Sequence, residues 1–225
     1  MRNILSKRAV LSSEMDQREK QYILPKKIVW KTNQITNEDV LLQDKLSQPI
    51  LEEDSCMIMK NSREGTAGIL IDFGIEIQGG VQLTAIGSGG AKTVPVRIRF
   101  GESVMEAMEE MDKKSTATND HAIRDMVVPI SALNKLEIGQ TGFRFVRIDL
   151  IGEHSELHIS SIKAALLYHD IPYLGEFLSN DEQLNQIWET GAYTVHLNMQ
   201  EYVWDGIKRD RLVWIGDLHP EIATI

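Results

Sequence analysis

Residues 204–217 concentrate side chains that could act on a sugar. They read Trp-Asp-Gly-Ile-Lys-Arg-Asp-Arg-Leu-Val-Trp-Ile-Gly-Asp and hold three acids, Asp205, Asp210 and Asp217. Three bases (Lys208, Arg209, Arg211) and two tryptophans (Trp204, Trp214) share the stretch. Glycosidic cleavage needs one carboxyl to protonate the leaving oxygen and another to activate water. Further carboxylates can hold sugar hydroxyls, an indole face can stack on the apolar side of a sugar ring, and flanking guanidinium groups can tune the carboxyl pKa values. Gly206 and Gly216 let the backbone turn tightly there. Charge spacing alone also fits a solvated loop laced with ion pairs, and that reading stays open.

Other candidate chemistries carry less. Gly87-Ser-Gly-Gly-Ala-Lys-Thr93 has Ala91 rather than Gly before its lysine and runs on into another strand, so it reads as a hairpin turn and not a phosphate loop. The six histidines are not at metal-ligand spacing: His154 and His158 lie in a strand-like stretch, where residues four apart are not clasped together as on a helix turn. No metal and no cofactor are expected. One cysteine, Cys56, excludes an internal disulfide and reads as a small buried apolar residue. A net charge of -9 without a basic tract argues against nucleic acid. No apolar run nears the ~20 residues that span a bilayer. The N-terminus lacks a signal-peptide core, so the chain as written reads as cytoplasmic, with no membrane partner.

The elements that must position the loop change character along the chain. Residues 1–24 are polar. From Pro25, short apolar or alternating runs follow: 27–30, 68–73, 80–86, 94–100, 126–130, 143–150 and 157–167, mostly separated by Gly, Pro, Asn or Asp. Such spacing predicts an antiparallel β-sandwich, jelly-roll-like, over 25–173. Val96, Ile98 and Phe100 alternate with Arg97 and Arg99, predicting one buried and one wet face. Apolar parity switches within 143–150, which predicts a bulge or a strand covered on both sides. Residues 105–120 read as a short helical turn and a surface loop, or alternatively a lid. After Pro172, Ser179 and Glu182 fit a capping box, and Leu184, Ile187, Trp188, Gly191, Val195 and Met199 recur at helical spacing. A helix over 180–202 is therefore expected, with a domain boundary near 173.

The terminal stretch 205–217 resembles the hallmark of the bacterial α-L-rhamnosidases, glycoside hydrolase family 78, which reads roughly D-C-P-x-R-E-R-x-G-W-x-G-D. Leu70-Ile-Asp-Phe-Gly74, Arg99-Phe-Gly-Glu-Ser103, Gly142-Phe-Arg-Phe-Val-Arg147 and Gly175-Glu-Phe-Leu-Ser-Asn-Asp181 are similar to the family's sandwich motifs and to the start of its catalytic domain. The resemblance implies an inverting glycosidase releasing terminal L-rhamnose from an (α/α)6 toroid. It places Asp210 as the catalytic acid, where the family usually has Glu. It gives Asp205, Arg209, Trp214 and Asp217 to substrate binding, with Arg209 and Arg211 holding the acids. Gly206-Ile207 stands where Cys-Pro is usual.

Twelve helices need at least ~140 residues, more than residues 174–225 supply. The expectation is therefore the first helix of a truncated toroid, without the general base and inactive by itself. An uncovered apolar face around Trp188, Val195 and Leu212 would favour a homo-oligomer. The competing reading is a non-catalytic carbohydrate-binding or architectural β-sandwich module.

Overall fold

A computed structural model describes residues 16–44, 55–110, 123–208 and 211–225. Arg209 and Asp210, much of the 105–120 loop and the first fifteen residues lie outside that set.

The strands are β1 (Glu19–Ile23), β2 (Lys27–Lys31), β3 (Ile35–Thr36), β4 (Met57–Lys60), β5 (Gly68–Gly87), β6 (Val94–Gly101), β7 (Asp125–Ile130), β8 (Asn134–Leu150) and β9 (Glu156–Tyr168). The helices are α1 (Val104–Met108), α2 (Glu182–Asn198) and α3 (Ile215–Ile222). All pairings are antiparallel, in the order β3-β4-β9-β5-β8-β6-β7, with β1 on β9 and β2 on β5. The architecture is a β-sandwich followed by a short helical part, as expected.

The two separate runs expected at 68–73 and 80–86 are one strand. The first half of β5 lies between β2 and the end of β8; its second half lies between β9 and the start of β8. Register shifts at Asp72/Ile77 and Gly79/Val81 bend the strand between them. Glycine signals a break in sequence, yet here it permits a bulge and close packing. A Cβ on Gly79 would stand 1.9 Å from the carbonyl oxygen of Ala165.

The core is aliphatic with a small aromatic centre. Ile69, Ile71, Leu83, Val96, Ile98, Phe143, Val146, Ile148 and Ile162 are fully buried. Phe143 meets Phe73 and Phe100 edge to face, at centroid distances of 5.9 and 5.0 Å. Each such side chain contributes about 1.5–3 kcal/mol relative to exposure. The parity switch in β8 coincides with an irregularity in its pairing, Phe143 and Phe145 facing Ile77 and Asp72 across a register shift. The strand beyond it is covered on both sides: Val146 joins the main core, whereas Phe145 packs with Leu70 and Ala107 beneath α1.

The expected wet face of β6 is only half wet. Arg99 is buried, held by Asp149 at 2.7 Å and Glu110 at 2.8 Å. The carboxylates of a neighbouring strand and of the α1 loop compensate a charge that burial would otherwise penalise. Helix α2 also begins later than Ser179 suggests. Asp181 is its N-cap, accepting from the Gln183 amide at 2.9 Å, and the helix stops at Asn198. Residues 87–93 do turn tightly, with Gly89 and Gly90 at positive φ and the Ser88 hydroxyl donating to the Ala91 carbonyl at 2.6 Å. The turn is not the expected hairpin, however, because β8 lies between β5 and β6.

Candidate functional site

The terminal segment is fixed to the sandwich by a few well-placed contacts. From α2, the Tyr193 hydroxyl donates to the Glu76 carbonyl at 2.6 Å, and Leu197 enters the sandwich core. Past the helix, the Gln200 side chain donates to the carbonyls of Leu167 (3.2 Å) and Leu197 (2.9 Å). The chain then reverses, the Trp204 amide donating to the Asn198 carbonyl at 2.9 Å. Ile207 also joins the core, lying over Gly142, where a Cβ would come within 2.7 Å of it. Gly142 is therefore a seat for the segment, since any side chain would lift Ile207 from the sheet.

Asp205 closes the loop that follows. Its carboxylate accepts from the Leu212 amide at 2.9 Å, and its own amide donates to the Leu212 carbonyl at 2.8 Å. Among the described residues, the partners of Arg211 are carbonyls and a ring. With φ at 52°, it donates to the carbonyls of Gln140 and Ile207 and lays its guanidinium 5.4 Å from the Trp204 ring centroid. Its role is to tie the loop to the sheet. Trp204 is buried beneath it and offers no open face to a ligand. Trp214, in contrast, is 54% exposed at the N-terminus of α3, free on its outer side for stacking. Asp217 lies in the first turn of α3, where the helix dipole favours an anion. The remaining expected residues, Arg209 and Asp210, lie outside the described residues.

Glu221 belongs with these acids, although no motif singled it out. It is buried in α3, and Asn198 donates to its carboxylate at 3.4 Å. Burial raises its pKa, and the charges of Asp217 and Asp205 raise it further. The structure thus brings Asp205, Asp217 and Glu221 into one electrostatic neighbourhood. The sequence signal was available: Asp217 and Glu221 are four residues apart and share a helix face. Glu221 therefore holds its proton above the ordinary carboxylate range, a useful property for donating hydrogen bonds or protons.

A cleft of roughly 360 Å³ opens beside the loop, between it and the bulge of β5. Glu76, Glu102, Asn198, Asp205, Ile207 and Lys208 line it. Lys208 pairs with Glu102 at 2.8 Å and Glu106 at 2.6 Å. Burial, reinforced by the charge of Glu102, pushes the Glu76 carboxyl up to about 8. Among the described residues no group of three or more His, Cys, Asp or Glu is arranged to hold a metal ion. Among them, too, no helix is long and apolar enough to cross a membrane.

No family model matches the sequence, and no curated protein matches it. Solved structures do. The rhamnosidase from Klebsiella oxytoca with rhamnose bound superposes over 97% of this chain and 42% of its own length, with a TM-score of 0.69 and 17% identity. The chain shares its fold with part of a rhamnosidase. A family-78 rhamnosidase of Bacillus sp. GL1 matches over 81% of this chain and 18% of its own, at TM-score 0.61 and 16% identity. The α-L-rhamnosidase of Dictyoglomus thermophilum matches over 87% and 18%, at TM-score 0.52 and 18% identity. The chain therefore spans less than half the length of these structures. The likeness runs through the sandwich and into the helical part, giving a family-78-like fold.

Proposed function

We propose that this chain is part of a glycoside hydrolase that removes terminal α-L-rhamnosyl residues with inversion, and that it contributes the acid-bearing loop and the sandwich supporting it. The observation that carries this reading is the match over 97% of the chain to a rhamnosidase, a share too large to be the sandwich alone. In this reading residues 25–173 are the sandwich domain and 174–225 begin an (α/α)6 catalytic domain. Asp210 gives its proton to the glycosidic oxygen as the bond breaks. Asp205, Arg209 and Asp217 hold or orient the sugar, and Trp214 stacks on its apolar side. An inverting reaction needs a second carboxyl ~6.5–9.5 Å across the sugar to draw a proton from the attacking water. This reading assigns no residue of this chain to that base.

The test is hydrolysis of p-nitrophenyl α-L-rhamnopyranoside by this chain and by the full product of its gene, each beside its Asp210→Ala variant. Activity in the full product alone, falling at least ~100-fold on substitution, supports the reading. Folded but inactive proteins of both lengths would remove it.

One observation favours a second reading, a carbohydrate-binding sandwich. On the sandwich surface the half-exposed Tyr22 donates its hydroxyl to Glu137, which Lys20 also reaches at 2.5 Å and Gln82 at 3.4 Å. An aromatic ring can take the apolar face of a sugar while the bordering polar groups bond its hydroxyls.

A further inference from the structure

We propose that Glu76 is a pH-sensitive latch between the sandwich and the terminal segment: neutral, it lets the segment lie on the sheet; ionised, it loosens that docking. Three observations place it there. Glu76 sits in the bent middle of β5, the same residue whose backbone carbonyl receives the Tyr193 hydroxyl from α2. Its carboxyl lines the cleft that Asp205, Ile207 and Lys208 roof from the terminal segment. One of its oxygens is shut from solvent and has no hydrogen-bond partner among the described residues. A buried acceptor left in that state is tolerable on a neutral carboxyl and costly on a carboxylate.

The neighbours on each packed element set the direction. Glu102, following β6, repels a charge on Glu76. Lys208, on the terminal segment, would attract it but is already committed to Glu102 and Glu106. Arg144, on β8, is committed to Asp72 at 2.8 Å. Tyr193, on α2, is itself neutral, its phenol pushed up to about 12 by burial and by the charge of Glu76. Asp205 adds a further acid to the cleft wall. Ionisation of Glu76 therefore brings under the segment a negative charge that Lys208 and Arg144 only partly offset.

The sign follows from linkage. The docked carboxyl titrates at about 8 against an ordinary value of 4.5. Docking is strongest below 4.5, weakens as pH rises from there to about 8, and levels off above. One proton limits the slope to about tenfold per pH unit.

Hydrogen exchange of the chain, read on peptides covering residues 193–208 and corrected for the intrinsic pH dependence of amide exchange, tests the latch. In the wild type the opening equilibrium should rise more than tenfold between pH 5 and 8, while peptides from β6 and the end of β8 stay unchanged. Glu76→Gln should be flat over that range. Tyr193→Phe should open the segment more at every pH yet keep the wild-type slope. A flat wild type, or a slope that survives in Glu76→Gln, overturns the proposal. Side-chain 13C NMR titration of Glu76 in the wild type gives an answer that does not depend on any variant folding, and a midpoint near 4.5 would likewise overturn it.

Discussion

The sandwich and the terminal segment are stabilised in opposite ways. In β5 and β8 the apolar side chains interlock across two layers, and buried charged groups such as Arg99 and Asp72 have partners at 2.7–2.8 Å. Beyond the sandwich, Leu184, Ile187, Leu212, Trp214, Ile215 and Ile222 remain exposed. There the chain is held by individual anchors: Tyr193 on a carbonyl, Leu197 and Ile207 in the core, and Arg211 on two carbonyls. The lesson is that one region fails as a whole, whereas the other can be released one contact at a time. Opening free energies in such regions fall well below the global value.

The largest expected effect lies in the sandwich. Phe143→Ala empties the aromatic centre and should cost about 3–5 kcal/mol, lowering the denaturation midpoint of the sandwich as one unit and taking with it the segment docked on it. Loss of the terminal segment alone would break the comparison.

Asp72→Asn comes next. The Arg144 guanidinium beside Asp72, together with the Gly74 amide, holds the Asp72 carboxyl below its usual range. Its contribution is present above the unfolded value of 3.8 and is lost as pH falls through the folded one. Because Arg144 is 40% exposed, the loss should be roughly 2 kcal/mol rather than the ~3–5 kcal/mol of a fully buried pair. Denaturant titrations of wild type and variant at neutral and acid pH should converge at the acid end.

Gly142→Ala is smaller and selective. The added methyl pushes against Ile207, so residues 199–208 should become sensitive to proteolysis while the sandwich midpoint moves by less than ~1 kcal/mol. An equal loss in both regions would show that they are one cooperative unit. Trp214→Ala should change stability by no more than ~0.5 kcal/mol, since the ring is largely exposed; its effect should appear in sugar binding.

The sandwich was largely legible because apolar alternation and burial have the same cause. Val96, Ile98 and Phe100 point inward as their period requires. What alternation cannot show is partnership. Arg99 looks solvent-facing until Asp149 and Glu110 arrive from elsewhere in the chain. The Gly74 and Gly79-Gly80 punctuation conceals a continuous strand because a bulge and a turn use the same residues. In the terminal segment, composition marked the acids but not their company. Glu221 shares a helix face with Asp217, and only the reversal of the chain after α2 brings Asp205 close enough to influence it. The charged stretch 204–217 proved to be divided in purpose: Trp204 and Arg211 secure the loop, while Trp214 faces outward.

The most direct test of the sugar-site reading is titration of L-rhamnose into the 15N-labelled chain. The account predicts chemical-shift changes confined to residues 205–221 and the Trp214 indole, with no movement around Tyr22 and Glu137. Shifts centred on Tyr22 and Glu137, with the terminal loop silent, would contradict it and assign sugar recognition to the sandwich.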